Sequence, residues 1–194
     1  MKNITLKKKD RDELQKLANI DRYNNAIKIH HESVAEHSFY VAIYTDIISE
    51  LLGLPYLEKY LVLYSALTHD IAEIKISDVP HNIKENNPEL KSALEKAEKE
   101  FNAKYIDTGA QTSKGFANLR KFIVDCADIL SVIQYSETEV EIGNSFFIKI
   151  YCATRARYES LIIDAYKSEL ITKNEYEVLH SYSVNKNIER KVNI

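Results

Sequence analysis

The chain has 194 residues, 45% hydrophobic and 28% charged, with a net charge of −3, so it carries enough apolar material for one core and too little basic excess to hold a long nucleic acid. No run of about 18 apolar residues exists, and the basic cluster Lys7–Lys9 is not followed by the apolar stretch of a secretory leader, which argues against a membrane span and against export. Cys126 and Cys152 are the two cysteines, without CxxC spacing, and they read as buried thiols in a reducing compartment, with the cytoplasm as the expected setting.

Four glycines and three prolines punctuate 194 residues, while apolar side chains recur at three and four positions, the period of a helix. The expectation is an all-α, compact helical bundle forming a single domain over residues 1–194. A first helix is predicted from about Lys8 to Ile20. A second begins at Ser33, whose hydroxyl caps it while Glu36 stands three residues on, and ends at Gly53. A third runs from about Leu57 to Ile74 and stops before Ser77, Asp78 and Pro80. A fourth starts after Asn87, with Pro88 in its first turn, and ends by Gly109. GAQTSKGF reads as a loop, Asn118 to about Glu141 as a fifth helix ended by Gly143-Asn144, Ser145 to Ser168 as a sixth, and Lys173 to Ser183 as a seventh. The polar connection from Ile76 to Asn87 is the sizeable loop, and such loops on rigid scaffolds often carry function.

Three places in this pattern hold polar side chains where apolar ones would serve. His37, in VAEHSFYVA, shares a helix face with Val41, Tyr44 and Ile48 and so points inward. Taken alone it reads as a core histidine. His69 and Asp70, in THDIAE, leave a helix about 100° apart and can share an ion only off the helix edge, with further ligands from other helices. Asp128, in DCADILSVI, is a carboxylate inside an apolar run, where it needs a cation or a hydrogen-bond partner. Two imidazoles and two carboxylates from three helices make a mixed nitrogen and oxygen shell suited to one divalent transition ion, Mn, Co, Fe or Zn, which can activate water and polarise a phosphoryl oxygen.

The order His37, His69-Asp70, Asp128 resembles that of the HD-domain metal-dependent phosphohydrolases. VAEHS, THDIAE, DVPHNIK and the CADIL segment ending at Gly143-Asn144 are similar to the small bacterial and phage 5'-deoxynucleotidases, over roughly Ile20 to Asn144. The resemblance implies an HD-type bundle and an enzyme that converts a deoxynucleoside 5'-monophosphate to deoxynucleoside and phosphate. It implies His37, His69, Asp70 and Asp128 as metal ligands, and Glu73 and Asp78 as catalytic or substrate-orienting acids. Glu73, four residues after His69 on a continuous helix, would face the same way. Arg22, Tyr23 and Lys84 are implied as substrate contacts; an arginine fork suits phosphate oxygens, and Tyr23 stands where the branch has tryptophan. His30, His31 and His81 are expected to flank the pocket as accessory residues, and His180 to be structural or exposed.

Related nucleotidases are dimers, and the apolar residues of FFIKIYCATRARYESLIIDAY exceed what one core face needs, so a homodimer through that helix is expected. A deoxynucleoside triphosphate triphosphohydrolase is the competing activity, and a non-catalytic nucleotide-binding HD module the competing class. GAQTSKG lacks the order of a phosphate-binding P-loop. Neither a GYP motif nor an acid at Ile74 is present, unlike the cyclic-dinucleotide and alarmone hydrolases of the superfamily.

Overall fold

A computed structural model describes residues 12–80, 83–84, 86–105 and 113–182. Among them are a short 3-10 helix, Gln15–Asn19, and the α-helices α1 (Val34–Leu51), α2 (Tyr56–Thr68), α3 (Glu73–Ile76), α4 (Pro88–Tyr105), α5 (Lys114–Glu141), α6 (Phe147–Lys167) and α7 (Lys173–Tyr182). The described residues contain no β-strand, only an isolated bridge between Asp21 and Ser33, as expected for an all-α chain. None of these helices is long and apolar enough to cross a membrane.

Helix starts follow the local chemistry. At α1 the Ser33 N–H donates to Glu36 Oε2 at 2.7 Å and the Glu36 N–H to Ser33 Oγ at 3.2 Å, a reciprocal cap contributing about 1 kcal/mol. Thr172 and Glu175 repeat it at α7, at 2.6 and 3.3 Å. Asn87 Oδ1 accepts from the Leu90 N–H at 3.0 Å, with Pro88 as the first residue of α4; the expected end at Gly109 lies outside the described residues. α5 begins earlier than the sequence indicates, because Ser113 Oγ accepts from the Phe116 N–H at 3.2 Å and so pulls Lys114, Gly115 and Phe116 out of the expected loop. The predicted first helix is represented by residues 12–14 and the 3-10 turn after them; its earlier residues lie outside the described ones.

The predicted third helix is broken. α2 ends at Thr68 and the chain then winds tightly: Ile71 N–H donates to the Thr68 carbonyl at 3.2 Å, Glu73 N–H to Asp70 at 3.0 Å and Ile74 N–H to Ile71 at 3.3 Å. These bonds span three residues rather than four. His69 and Asp70 therefore occupy a turn, and Glu73 starts a new short helix, instead of the three sharing one continuous face.

The chain groups into two compact units. The first comprises Met1–Ala26, His31–Ser38 and Thr68–Ala110. In it, residues 20–22 and 32–34 are tied together: the Val34 N–H donates to the Ile20 carbonyl and the Arg22 N–H to the Glu32 carbonyl, both at 3.0 Å. α3 packs against α4 and the 3-10 helix, and Lys75 Nζ donates to Glu13 Oε1 at 3.0 Å.

The second unit comprises Ile27–His30, Phe39–Leu67 and Gln111–Ile194. Its centre is the α5–α6 pair, with Ile123, Cys126 and Ala127 of α5 against Phe147, Tyr151, Tyr158 and Ile162 of α6, all at most 2% exposed. Tyr158 satisfies its hydroxyl on the Leu179 carbonyl of α7 at 3.1 Å. One face of α6 is thus spent inside its own unit, while Phe146 at its start and Tyr166 near its end stay exposed. Large exposed apolar side chains also lie along α1 and α2: Tyr40, Ile43 and Ile47, and Tyr56, Leu57 and Tyr60.

Candidate metal centre and its surroundings

His37 sits in the first turns of α1, its N–H bonded to the Ser33 carbonyl at 3.0 Å, so the cap that starts the helix also fixes the imidazole. It is fully buried. His69 and Asp70 arrive from the tight turn after α2. Asp70 Oδ2 lies 3.1 Å from His69 Nε2 and 3.6 Å from His37 Nε2, and one ligand atom from each residue lies within 4.8 Å of the others. Burial pushes the Asp70 carboxyl up, but the adjacent His69, then His37 and Arg22, outweigh it and hold the group well below the usual carboxylate range. Two imidazole nitrogens facing one ionised carboxylate oxygen are a donor set that fits a borderline divalent cation. Among the described residues this is the group of histidine and acidic side chains close enough to share one ion.

Arg22 lies against this cluster. Its Nη1 donates to Asp70 Oδ2 at 3.4 Å and its Nε lies 3.4 Å from Glu32 Oε2. The guanidinium carbon stands 5.5 Å from the centre of the Tyr23 ring, within cation–π range. Tyr23 itself has a φ of 54° and Ser77 one of 60°, left-handed conformations that side chains with a Cβ adopt at a cost of about 1–3 kcal/mol. The two strained positions are joined through their neighbours: Asn24 Nδ2 donates to the Asp78 carbonyl at 3.0 Å. Asp78 and Lys84 are both half-buried in the loop after α3.

Glu73 is 6% exposed, and Oε2 has no hydrogen-bond partner among the described residues. Burial first, then the charges of Asp70 and Asp78, push its carboxyl up to about 9, against the opposing pull of Arg22 and Lys84. At neutral pH, without a cation, it is therefore a protonated acid beside an ionised one. Glu98 of α4 is also raised, by burial and then, after the opposing Lys84, by the charges of Asp70 and Glu95.

His37, His69, Asp70, Glu73, Asp78, Arg22, Tyr23 and Lys84 all belong to the first unit. Asp128 stands on α5 in the second, its Oδ2 4.0 Å from Arg157 Nη2. The accessory histidines have other duties. His31 Nε2 meets Asp21 Oδ1 at 3.0 Å on the surface, the His30 ring tilts against Tyr135 at 6.3 Å, and the His180 ring lies 5.9 Å from that of Tyr176; His81 is outside the described residues. Sequence reading missed Asn24, Glu32 and Glu98. A glutamate immediately before a capping box was the available signal for Glu32; nothing local marks the other two.

The family model for 5'-deoxynucleotidase YfbR-like proteins matches residues 12–168. The chain belongs to the YfbR-like 5'-deoxynucleotidase family. It is 28% identical over 175 residues to 5'-deoxynucleotidase PM0747 of Pasteurella multocida, covering 81% of this chain and 85% of that protein. Its fold is similar to that of the cyanophage S-2L HD phosphohydrolase DatZ, whose structure is bound to dA and one catalytic Zn2+ ion, with a TM-score of 0.66, 18% identity and coverage of 94% and 95% of the two chains. It is also similar to the PH0347 protein of Pyrococcus horikoshii, with a TM-score of 0.65, 20% identity and coverage of 89% and 97%. These two likenesses show a fold shared along nearly the whole of each chain.

Proposed function

We propose that the chain is a metal-dependent 5'-deoxynucleotidase that hydrolyses deoxynucleoside 5'-monophosphates to deoxynucleosides and inorganic phosphate. The observation that carries this reading is the convergence of His37, His69 and Asp70 within 4.8 Å of one another, with Arg22 beside them, in a chain of that family. Those three residues and Asp128 would hold one divalent transition ion, Co, Mn, Fe or Zn. Bound there, the ion supplies Lewis acidity toward a phosphoryl oxygen and a water activated for attack.

The chain's own groups account for the rest. Arg22 offers fixed N–H donors to the phosphate oxygens, and Lys84 adds a positive charge from the loop. Tyr23 presents an aromatic face to the sugar or base. Hydrolysis joins water oxygen to phosphorus and breaks the bond from phosphorus to O5', so one proton must leave the water and one must reach O5'. Glu73 and Asp78 are the acids assigned to those transfers.

The partner is a small deoxynucleotide, with no role for a long nucleic acid or a membrane. Cys126 is buried as expected, Cys152 is exposed against that expectation, and with both thiols free a cytoplasmic setting is proposed. A homodimer is proposed, with the exposed apolar side chains of α1 and α2, among them Ile43 and Ile47 at 47% and 37% exposure and Tyr56 at 88%, adding to the α6 surface expected from sequence. Incubating metal-reconstituted protein with deoxynucleoside mono- and triphosphates tests the activity. Free phosphate from monophosphates alone is expected; tripolyphosphate released from triphosphates would replace this reading with the triphosphohydrolase.

A further inference from the structure

Glu32 is 4% exposed, and a buried carboxylate without a compensating partner is costly. It lies one residue before the Ser33 cap of α1, and the cap uses Glu36, not Glu32. Its side chain goes to Arg22 instead, with Oε2 3.4 Å from Nε, and its backbone carbonyl accepts from the Arg22 N–H at 3.0 Å. One residue thus meets both ends of Arg22, the main chain by a hydrogen bond and the guanidinium by an ion pair. The bridge between Asp21 and Ser33 closes the same pair of strand-like segments, so the Glu32–Arg22 contact is built into the backbone rather than being a chance meeting of long side chains.

The contact matters because Arg22 has a second carboxylate within reach. Asp70 Oδ2 lies 3.4 Å from Nη1. An arginine with Asp70 as its single acidic anchor would follow that carboxylate, which the proposed function assigns to the metal. An ion pair at Nε draws the fork toward Glu32 independently of Asp70. We propose that Glu32 is a positioning residue for substrate binding: it sets the guanidinium of Arg22 in the orientation that receives the substrate phosphate. The inference rests on the assignment of Arg22 as a phosphate contact.

Simple electrostatics and positioning predict opposite signs. If Glu32 acted only through its negative charge, neutralising it would favour an incoming phosphate dianion and lower KM. If it acts by orienting Arg22, Glu32→Gln raises KM about tenfold, since a charge-assisted contact to arginine is exchanged for a weaker neutral one. It also weakens binding of inorganic phosphate, measured by calorimetry, and leaves kcat within about twofold. The deciding experiment is a double-mutant cycle on Glu32→Gln and Arg22→Ala in metal-loaded protein. The expected result is that Glu32→Gln changes neither KM nor phosphate affinity once Arg22 is gone, because coupled residues are non-additive.

Arg22→Ala with raised KM, beside Glu32→Gln with unchanged or lowered KM, overturns the inference alone. So do effects of the two substitutions that multiply. Arg22→Ala with unchanged KM and phosphate affinity overturns the parent assignment, and this inference with it. Should Glu32→Gln fail to fold, Glu32→Asp carries the same cycle, since it keeps the charge but retracts it by one methylene and is expected to raise KM in the same direction.

Discussion

Glu73 donates its backbone N–H to the carbonyl of Asp70 at 3.0 Å, so one tight turn holds two carboxyl groups whose affinities for a proton are driven in opposite directions. The Asp70 carboxyl is held low by His69, His37 and Arg22 in spite of its burial, while burial and the charges of Asp70 and Asp78 push Glu73 up to about 9. Environments that separate two neighbouring acids in this way are characteristic of sites that move protons.

That relationship predicts the pH dependence of stability in metal-free protein. Glu73 is raised above its ordinary value of 4.5, so between there and about 9 the folded state holds a proton that the unfolded state has released. The stability it confers is complete below about 4.5 and lost as pH rises through about 9. The slope is at most about 1.4 kcal/mol per pH unit. Glu73→Gln, which copies the protonated shape but does not titrate, should therefore gain stability relative to wild type as pH rises from about 5 to 9. Urea unfolding of both proteins in EDTA at several pH values measures it. Parallel stability profiles would show that Glu73 is not raised.

Glu73 is also assigned to proton transfer, and the loss of such a group typically slows turnover about 100- to 10,000-fold. Glu73→Ala should lose kcat on that scale while retaining bound metal and nucleotide. A variant with wild-type kcat would leave Asp78 as the acid of the reaction.

Tyr23 is held in a left-handed conformation with its ring beside Arg22, a strained placement that suits a residue aimed at the substrate. Tyr23→Ala should weaken discrimination between deoxyribo- and ribonucleotides more than it weakens turnover on the deoxy substrate. The ratio of kcat/KM for the two sugars reads this directly, and an unchanged ratio would remove Tyr23 from sugar recognition.

Glu139, in the second unit, is fully buried and accepts from the Ile29 N–H at 2.9 Å and the His30 N–H at 2.6 Å. Asn144 Nδ2 bonds the same carboxylate and also the Ile27 carbonyl, the latter at 2.8 Å. These bonds outweigh the burial and lower the carboxyl. Glu139→Ala leaves those N–H groups without their acceptor and should cost about 2–4 kcal/mol. A urea midpoint within error of wild type would show that the network adds nothing.

Much of the fold was legible because its signals are local. Ser33 with Glu36, Pro88 after Asn87, and Gly143, with a φ of 103°, each act within a few residues, and the helix period did the rest. The break after Thr68 was not legible: His69, Asp70 and Glu73 fit a continuous helix on spacing alone, and the turn is a tertiary arrangement that brings His69 and Asp70 to His37. Glu98 was missed for a related reason. A glutamate on an exposed face and one turned toward a buried arginine or aspartate have the same local sequence. Periodicity counts the apolar residues of α6 without saying which neighbour covers each: Tyr151, Tyr158 and Ile162 are buried, whereas Phe146 and Tyr166 are exposed.

The most direct test of a metal-dependent nucleotidase is metal content measured together with phosphate release from a deoxynucleoside 5'-monophosphate, in wild type and in His69→Ala, Asp70→Ala and Asp128→Ala. One transition ion per active wild-type chain is expected, with activity lost in EDTA and restored by a divalent ion, and with loss of both ion and activity in each variant while helix content is retained. Full phosphate release from a chain that contains no transition metal and is indifferent to EDTA would contradict metal dependence.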